Sequence, residues 1–476
     1  MAYTSINPAN GKLIQSFPEH TNSEVEAALS SANEAFLSWR LESFATRAAV
    51  VHKAADLMRE RLEELSRMIT IEMGKLIEES RAETLLSADI LSYYADHAER
   101  FLAPVQANAG KQKARVVSQP IGVLLGIEPW NFPYYQLARF VAPNLMAGNT
   151  ILMKHAPTVP HCAQLFARLF QDAGAKAGVY TDLRLTNEQA ARVIADERVR
   201  GVAVTGSERA GSSVGSEAGK ALKRSTMELG GSDPFIVLED ANLEKAIEWG
   251  AWSRLVNCGQ GCACAKRFIV VDSLYDQYLD GIRKAIAARK IGDPMDKETT
   301  LGPVSSERAR ELLLDQIGRS VKAGATLVSG GKKLDRDGFY MEPAILADIH
   351  PGNPAYAEEF FGPVFLMFRV PDEEQAIRLA NDSPFGLAAV IFSADEVRAE
   401  ALAMQIDAGM VFVNRPAWTA PDVPFGGVKH SGYGRELSEL GIQEFVNKKL
   451  IESEQSRHKR TLTWPVAGIR WDCKSE

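Results

Sequence analysis

The chain contains 476 residues, of which 46% are hydrophobic and 24% are charged, the proportions of an ordinary soluble globular protein. Its formal net charge of −7 argues against a nucleic-acid partner and against binding to an anionic membrane surface, and no apolar run is long enough to cross a bilayer. An odd number of cysteines, five, and an N-terminus without a signal-peptide pattern predict a cytoplasmic protein with reduced thiols.

Helical patterns dominate the N-terminal part of the chain. Ser23 and Glu26 match a capping box, which predicts the start of an amphipathic helix. The apolar residues at helical spacing in this helix are Val25, Leu29, Ala32, Phe36 and Trp39. Residues 46–106 predict two more long helices, and Gly74 marks the expected break between them.

From about residue 114, short apolar runs alternate with helical patterns. The first clear runs are 149–156, 200–207 and 233–240, and the alternation resumes from 267 to 415. Such alternation predicts parallel βαβ units. Because the chain is too long for one compact core, the predicted fold class is α/β, with two tandem α/β units that divide near residue 240.

The segment NCGQGCACAKRF (257–268) holds three of the five cysteines, Cys258, Cys262 and Cys264. A metal site is disfavoured because no second cysteine pair and no nearby histidine complete the ligand set. A disulfide between Cys262 and Cys264 is geometrically strained. The flanking glycines favour a reactive thiol in a tight loop, although small buried core cysteines remain an alternative.

The segment GVAVTGSERAG predicts a strand, a turn formed by Thr205, Gly206 and Ser207, and then a helix. A helix N-terminus and a serine hydroxyl suit a phosphate group, although this motif alone is weak. The overlapping GSSVG matches the nucleophile elbow of a serine hydrolase, with Ser213 as nucleophile and His350 or His430 as its histidine. An elbow follows its strand directly, so the intervening residues favour a helical position for Ser213.

Two polar residues lie in segments with restricted backbones. Glu228 precedes Leu-Gly-Gly in MELGGSDP, and Asn131 lies between Pro129 and Pro133 in PWNFP. Proline fixes the local backbone and suits a side chain aimed at one point. A surface carboxylate and a turn asparagine are the alternatives.

Together the motifs resemble those of the NAD(P)-dependent aldehyde dehydrogenases, to about residue 455. Seven segments carry the resemblance, in the family's order: PWNFP, Met153–Lys154, TGSERAG, MELGGSDP, NCGQGCACAKR, EEFFGPV and PFGGVKHSGYGRE. Within that family the chain is most similar to succinate semialdehyde dehydrogenases. The resemblance therefore implies oxidation of a short aldehyde with a distal carboxylate, succinate semialdehyde to succinate, with NAD or NADP as cofactor.

The resemblance also implies residue roles. Cys262 would attack the aldehyde carbon, the side chain of Asn131 and the backbone N–H of Cys262 would hold the oxyanion, and Glu228 would activate water to hydrolyse the thioester. The implied cofactor-binding residues are Trp130, Lys154, Thr205, Gly206, Ser207, Leu229, Glu359 and Phe361.

The family's architecture implies two Rossmann-like domains and a β-hairpin arm. Residues 1–106 and 127–238 would form the NAD(P)-binding domain, and residues 239–430 the catalytic domain. Residues 107–126 and 440–455 would form the oligomerisation arm of a homodimer or homotetramer. The 456–476 tail matches nothing in the family and has no assigned role.

Several positions bear on specificity and regulation. Many NAD-preferring members carry a ribose-binding glutamate where this chain has Pro157, so NADP should be tolerated. Arg139 matches the position of a carboxylate-binding arginine in some members, with a surface arginine as the alternative reading, and Thr419 is expected to supply a hydroxyl group to the substrate. Another arginine found in some members is Val256 here, and Arg254 or Arg415 is expected to compensate.

Cys264 resembles the second cysteine of redox-sensitive members and is a candidate redox switch, or else a small packing residue. Other functions remain open at this point. They are oxidation of another short aliphatic or aromatic aldehyde, ester hydrolysis through Ser213, and an inert protein that keeps the fold.

Overall fold

The computed structural model describes residues 3–109 and 112–453. Its helices are α1 (Asn22–Trp39), α2 (Phe44–Glu60), α3 (Leu62–Met73), α4 (Ile77–Phe101), α5 (Pro133–Ala147), α6 (Pro160–Asp172), α7 (Asn187–Ala195), α8 (Glu208–Lys220), α9 (Leu243–Leu255), α10 (Asp272–Ala287), α11 (Glu307–Lys322), α12 (Pro354–Ala357), α13 (Glu373–Asn381), α14 (Glu396–Ala403) and α15 (Ser438–Gly441).

The strands are β1 (Tyr3–Asn7), β2 (Lys12–Phe17), β3 (Val105–Ala109), β4 (Gln112–Pro120), β5 (Val123–Ile127), β6 (Thr150–Lys154), β7 (Tyr180–Asp182), β8 (Val199–Thr205), β9 (Arg224–Glu228), β10 (Asp233–Val237), β11 (Ala265–Val271), β12 (Thr326–Ser329), β13 (Ala344–Ala347), β14 (Val364–Val370), β15 (Phe385–Gly386), β16 (Ala388–Phe392), β17 (Met410–Val413), β18 (Val428–Lys429), β19 (Gly432–Tyr433) and β20 (Val446–Ser453).

Two mainly parallel sheets confirm the predicted α/β fold. The first sheet has the strand order β19-β9-β8-β5-β6-β7, in which only β19 runs antiparallel to its neighbour. The second has the order β12-β13-β14-β11-β10-β16-β17, with only β12 antiparallel. Each sheet buries near-continuous runs of apolar residues, as expected when helices cover both faces.

The chain passes from the first sheet to the second between β9 and β10, earlier than the predicted division at 238/239. β10 pairs with β11 and β16 in the second sheet, although the predicted boundary assigned it to the first domain. The sequence does not reveal whether β10 belongs to the first or the second sheet, because β9 and β10 are consecutive short strands and their spacing does not show which strands they pair with.

The segments predicted to form an arm meet in a separate three-stranded antiparallel sheet, β20-β4-β3. The β20–β4 register runs from Val446 opposite Pro120 to Ser453 opposite Lys113. β5 begins at Val123 and joins the first sheet, so the end of the predicted segment 107–126 lies outside the arm. The 456–476 tail lies outside the described residues.

The N-terminal helices differ from the prediction in two details. The capping box is formed by Thr21 and Glu24, two residues before the predicted pair, because Thr21 is the residue with extended backbone at the helix start. The predicted apolar stripe is buried. Residues 44–101 form three helices rather than two, since the chain also breaks at Arg61 (φ −101°, ψ 24°), where no glycine or proline signals it.

Gly74 ends α3 in the left-handed conformation (φ 84°), as the predicted break requires. The chain re-enters a helix at α4, which packs against α2 and α5 and so lies close to the segment around Asn131. Among the described residues, the helices are too short or too polar to cross a membrane.

Candidate active site

A cavity of about 520 Å³ is lined by residues of α4 and α5 on the one hand and of α9 and the cysteine loop on the other, and most of its lining is apolar. Cys262 and Cys264 both line it, as do Arg139, Tyr135 and Thr419. Cys258 is buried in the hydrophobic core of the second sheet. The structure thus separates the three cysteines of the loop, with Cys262 the most accessible and Cys258 a packing residue.

The backbone of the cysteine loop turns sharply before Cys262. Asn257 (φ 50°, ψ 35°) and Cys258 (φ 52°, ψ 34°) both adopt the left-handed conformation, which is uncommon for residues other than glycine. The Asn257 side chain holds the turn, because its Nδ2 donates to the carbonyl oxygens of Asn131 (2.9 Å) and Gln260 (3.1 Å). Gln260 in turn accepts from the backbone N–H of Ser305 at 2.8 Å.

Cys262 lies in an environment that favours the neutral thiol. Burial raises the pKa of its thiol to about 12, while the positive charges of Arg139 and Lys266 partly oppose that rise. Lys266 also donates from Nζ to the carbonyl oxygens of Gly261 (2.9 Å) and Cys262 (2.5 Å). Reaction of this sulfur therefore requires a proton acceptor when substrate arrives.

The Asn131 side chain points at the cysteine loop. It is 3% exposed, and its Nδ2 donates to the carbonyl oxygen of Gln260 at 3.1 Å. An amide nitrogen carries two hydrogens, so this bond leaves one donor for another acceptor. The buried position and the tie to Asn257 rule out a simple surface-turn asparagine.

Glu228 ends β9 and is buried, so it is not a surface carboxylate. Neither of its carboxylate oxygens has a hydrogen-bond partner among the described residues. Burial raises its pKa well above the ordinary value; Arg139 opposes the rise, and Glu436 adds to it. A buried carboxyl group with free oxygens and a raised pKa holds its proton more tightly than an ordinary carboxyl group and is a stronger base once ionised.

Arg139 is buried and lines the cavity, which excludes the reading of a surface arginine. Its Nε pairs with Glu436, Nη2 donates to Thr205 Oγ1 (3.1 Å) and Nη1 to Tyr135 Oη (3.4 Å). Tyr135 Oη also shares a hydrogen bond of 2.9 Å with Thr419 Oγ1. The guanidinium is thus partly neutralised and reaches the cavity beside two hydroxyl groups.

The two arginines expected to compensate for Val256 lie in different places. Arg254 is fully buried and donates to the carbonyl oxygen of Gly259, so it supports the cysteine loop. Arg415 is exposed, and its guanidinium carbon lies 4.3 Å from the ring centroid of Trp418, which lines the cavity. Arg415 is therefore the one of the two that lies beside the solvent-facing side of the cavity.

The predicted cofactor-binding residues lie at the carboxyl ends of the first sheet and in the facing loops. Lys154 ends β6, Thr205 ends β8, and Ser207 caps α8 by accepting from the backbone N–H of Ala210 at 3.3 Å. Gly206 donates its backbone N–H to the carbonyl oxygen of Glu228 (3.0 Å), which ties the phosphate-binding turn to the end of β9.

The other predicted cofactor-binding residues are Trp130 after β5, Leu229 after β9, and Glu359 and Phe361 in the loop before β14. Glu359 Oε1 accepts from the backbone N–H of Gly231 and pairs with Lys266 Nζ, each at 3.1 Å. Phe361 packs edge-to-face against Trp130, with ring centroids 5.7 Å apart. An exposed helix N-terminus, a lysine and facing aromatic rings at the carboxyl ends of parallel strands fit a dinucleotide.

The helical position of Ser213 argues against the serine hydrolase. Ser213 lies inside α8 (Glu208–Lys220) and not at a turn that directly follows a strand. His350 and His430 are both exposed, and His430 Nδ1 pairs with Glu208 at 3.2 Å. The strained strand-to-helix turn that exposes a nucleophilic serine is missing at this position.

Four residues of the site escaped the sequence analysis: Asn257, Gln260, Lys266 and Glu436. The first three lie within or next to the cysteine segment, but their hydrogen bonds depend on how the loop folds. Glu436 belongs to the quoted C-terminal motif, and a buried arginine at position 139 requires a carboxylate partner. The need for a carboxylate partner is the one signal in the sequence, and it does not identify which carboxylate pairs with Arg139.

Comparison with known proteins agrees with this geometry. Residues 1–451 match the model described as the aldehyde dehydrogenase family. The chain is 45% identical over 457 residues to the succinate-semialdehyde dehydrogenase, NADP(+), of Deinococcus radiodurans, with 96% of each chain covered. It is 43% identical over 447 residues to the succinate semialdehyde dehydrogenase, NAD(P)+, of Escherichia coli K12, with 94% and 97% covered.

A solved structure gives the same picture. The crystal structure of succinic semialdehyde dehydrogenase from Streptococcus pyogenes in complex with NADP+ superposes with a TM-score of 0.93 at 44% sequence identity. The match covers 94% of this chain and 99% of that one.

Proposed function

The chain belongs to the aldehyde dehydrogenase family, and on that premise we propose that it oxidises succinate semialdehyde to succinate with NADP or NAD. One observation carries the choice of substrate. The cavity that contains Cys262 also presents Arg139, Tyr135 and Thr419, a cation and two hydroxyl groups that suit a distal carboxylate. The names of the similar enzymes support the same substrate.

The first step forms a bond between the Cys262 sulfur and the aldehyde carbon. The thiol proton passes to solvent water, and the positive charges of Arg139 and Lys266 favour the thiolate that attacks. The free hydrogen of Asn131 Nδ2 and the backbone N–H of Cys262 stabilise the oxyanion. A nicotinamide cofactor, when bound, accepts the hydride that leaves the same carbon.

The second step hydrolyses the resulting thioester. Once Glu228 has lost its proton to solvent, one of its free oxygens takes a proton from water as that water attacks the thioester carbon. The C–S bond then breaks, and Cys262 leaves as a thiolate that is reprotonated. Within residues 3–109 and 112–453, the Glu228 oxygens have no hydrogen-bond partner, which supports this role because no existing hydrogen bond has to break before they accept a proton.

Acceptance of NADP follows from the residues near Lys154. The carbonyl oxygen of Pro157 accepts the backbone N–H of Thr4 at 2.9 Å, which holds this segment against β1 without a carboxylate side chain at that position. A 2′-phosphate therefore meets no acidic side chain at position 157, and Lys154 can pair with it.

A panel of aldehydes tests the proposed function as a whole. Turnover of succinate semialdehyde, butanal and benzaldehyde is followed with NAD and with NADP through the absorbance of the reduced nicotinamide. We expect the highest kcat/KM with succinate semialdehyde, and turnover with NADP. A kcat/KM for butanal equal to that for succinate semialdehyde contradicts the substrate assignment. Turnover with NAD but not with NADP contradicts the cofactor assignment.

Arg139→Ala is expected to raise the KM for succinate semialdehyde by about 10-fold or more, since a charge-assisted hydrogen bond contributes about 1.5–3 kcal/mol. The KM for butanal should stay the same, because butanal has no carboxylate. Arg415→Ala is the matched control at the exposed side of the cavity and should change the succinate semialdehyde KM less. Circular dichroism checks that each variant is folded, and an unchanged KM for succinate semialdehyde in folded Arg139→Ala contradicts the assignment.

Cys264 is proposed to switch the enzyme off under oxidation. Hydrogen peroxide would convert the Cys262 thiol to a sulfenic acid with release of water, and the Cys264 thiol would then form a disulfide with release of a second water. Both residues line one cavity, which supports the pairing.

In wild type we expect peroxide inactivation that dithiothreitol reverses almost completely. In Cys264→Ala, the sulfenic acid has no resolving thiol and oxidises further, so most activity should stay lost after dithiothreitol. Equal recovery of activity in wild type and Cys264→Ala contradicts the proposed role of Cys264.

Two further proposals rest on the arm and the thiols. The three-stranded sheet exposes Val105 (66%) and Leu450 (59%), and these apolar side chains support a homodimer or homotetramer formed through this arm. The four cysteines among the described residues are all free, which supports a cytoplasmic location.

A further inference from the structure

Two carboxylates on α4 face the active site, although neither belongs to the motifs that carry the chemistry. Glu79 and Glu83 are four residues apart, so they lie one turn apart on the same face of the helix. Both line the cavity that contains Cys262. Glu83 is 4% exposed, and Glu79 is partly accessible from the cavity.

Glu83 holds the start of the helix that follows Asn131. Its Oε1 accepts the backbone N–H groups of Tyr134 (2.9 Å) and Tyr135 (3.2 Å) at the beginning of α5. The N-cap residue Phe132 provides no side-chain cap, so Glu83 supplies that function from another helix. Its Oε2 pairs with Lys75 Nζ, which neutralises the buried charge.

Glu79 holds the start of the cysteine loop. Its two oxygens share the backbone N–H of Asn257, each at 3.2 Å. Asn257 is the first of the two left-handed residues, and a non-glycine residue keeps that conformation only when its surroundings impose it. The Asn257 side chain then bonds to the carbonyl oxygen of Asn131.

The contacts of Glu79 and Glu83 hold the two segments that carry the proposed oxyanion donors. Glu83 fixes the segment that carries the Asn131 amide, and Glu79 fixes the loop that carries the backbone N–H of Cys262. A single rigid helix thus connects the loop after β5 with the loop before β11. A shift of either loop changes the spacing of the two donors, and a misplacement of about 1 Å can cost about 100-fold in rate.

We propose that Glu79 and Glu83 are positioning residues that align the Asn131 amide with the Cys262 backbone N–H. This inference rests on the proposed function, since it assigns their effect to the oxyanion of that reaction. The relevant property is the reach of an acceptor oxygen and not its charge. Glutamine retains an acceptor at the same distance, whereas aspartate keeps the charge but is one methylene shorter.

The test compares Glu79→Asp with Glu79→Gln. We expect Glu79→Asp to lower kcat by about 10- to 100-fold with little change in the KM for NADP, and Glu79→Gln to stay within about threefold of wild type. Glu99→Ala, at an exposed position on the same helix, is the control and should match wild type. Loss in Glu79→Gln with full kcat in Glu79→Asp overturns the proposal, because charge would then be the property that matters.

A double-mutant cycle separates alignment of the donors from a general structural effect. Glu83→Asp alone should lower kcat by about 10- to 100-fold, but in an Asn131→Ala background the donor that Glu83 aligns is already absent, so Glu83→Asp should add less than about threefold. A loss that multiplies fully with that of Asn131→Ala overturns the proposal. The outcomes that remove the proposed function are different ones, namely no aldehyde oxidation by wild type or full kcat in Asn131→Ala.

Discussion

Cys262→Ser is expected to lower kcat for succinate semialdehyde by about 10⁴-fold or more, the largest effect of any single change in this chain. A serine hydroxyl is a much weaker nucleophile at neutral pH, and the burial that already raises the pKa of the thiol disfavours an alkoxide even more. An alkoxide is also a poorer leaving group in the hydrolytic step. Serine at position 262 should therefore slow both the formation and the breakage of the bond to the substrate carbon.

The measurement is steady-state turnover of Cys262→Ser beside Cys258→Ser and Cys264→Ser. The control at Cys258 should retain most activity, because its sulfur lies in the core of the second sheet and not in the cavity. NADP binding, followed by quenching of protein fluorescence, should be unchanged in Cys262→Ser. Retention of more than about one hundredth of the wild-type kcat would place the nucleophile elsewhere.

The residues proposed as catalytic could be selected from the sequence because each lies in a short segment with restricted backbone choices. Cys262 lies among glycines, Asn131 between prolines, and Glu228 before two glycines. Such segments keep their local shape and their order along the chain, so a resemblance transfers residue by residue. In the structure, Asn131 bonds to Gln260 of the cysteine loop and the charge of Glu228 acts on the Cys262 thiol, while the catalytic roles of the three residues stay a prediction.

The contacts that hold these residues were not predictable, because they join segments that are distant in sequence. Glu436 pairs with Arg139, and Glu79 accepts from Asn257, across separate parts of the chain. Sequence spacing indicates which face of a helix a residue occupies but not what faces it across the fold. From sequence alone, a charged residue on an amphipathic helix is predicted to be solvent-exposed, because the residue that pairs with it across the fold is not known.

The same limit applies to the fold. The apolar runs at 149–156, 200–207 and 233–240 overlap β6, β8 and β10, but β10 joins the second sheet because of its neighbours and not because of its own residues. The capping box of α1 shows that the sequence can also be ambiguous within a few residues. Both Thr21–Glu24 and Ser23–Glu26 have the required spacing, and only the backbone conformation at Thr21 decides between them.

Glu228→Gln should separate the two chemical steps. We expect steady-state kcat to fall by about 10²- to 10⁴-fold, the usual contribution of a general base. The amide cannot take a proton from water, so the thioester on Cys262 should accumulate after one turnover. Rapid mixing should then show one equivalent of reduced nicotinamide per site, and intact-mass measurement should show the succinyl adduct. Glu400→Gln, at an exposed position on α14, is the control.

The pH dependence gives this prediction a second readout. Burial raises the pKa of Glu228, so the protonated form dominates below that pKa and the ionised base appears as pH rises through it. Wild-type kcat should therefore increase with pH when hydrolysis of the thioester limits the rate. Glutamine does not titrate, so Glu228→Gln should lose that increase, apart from the contribution of free hydroxide. The same rise with pH in Glu228→Gln would assign the base to another group, and Glu436 and Glu128 are the buried carboxyl groups whose charges act on this site.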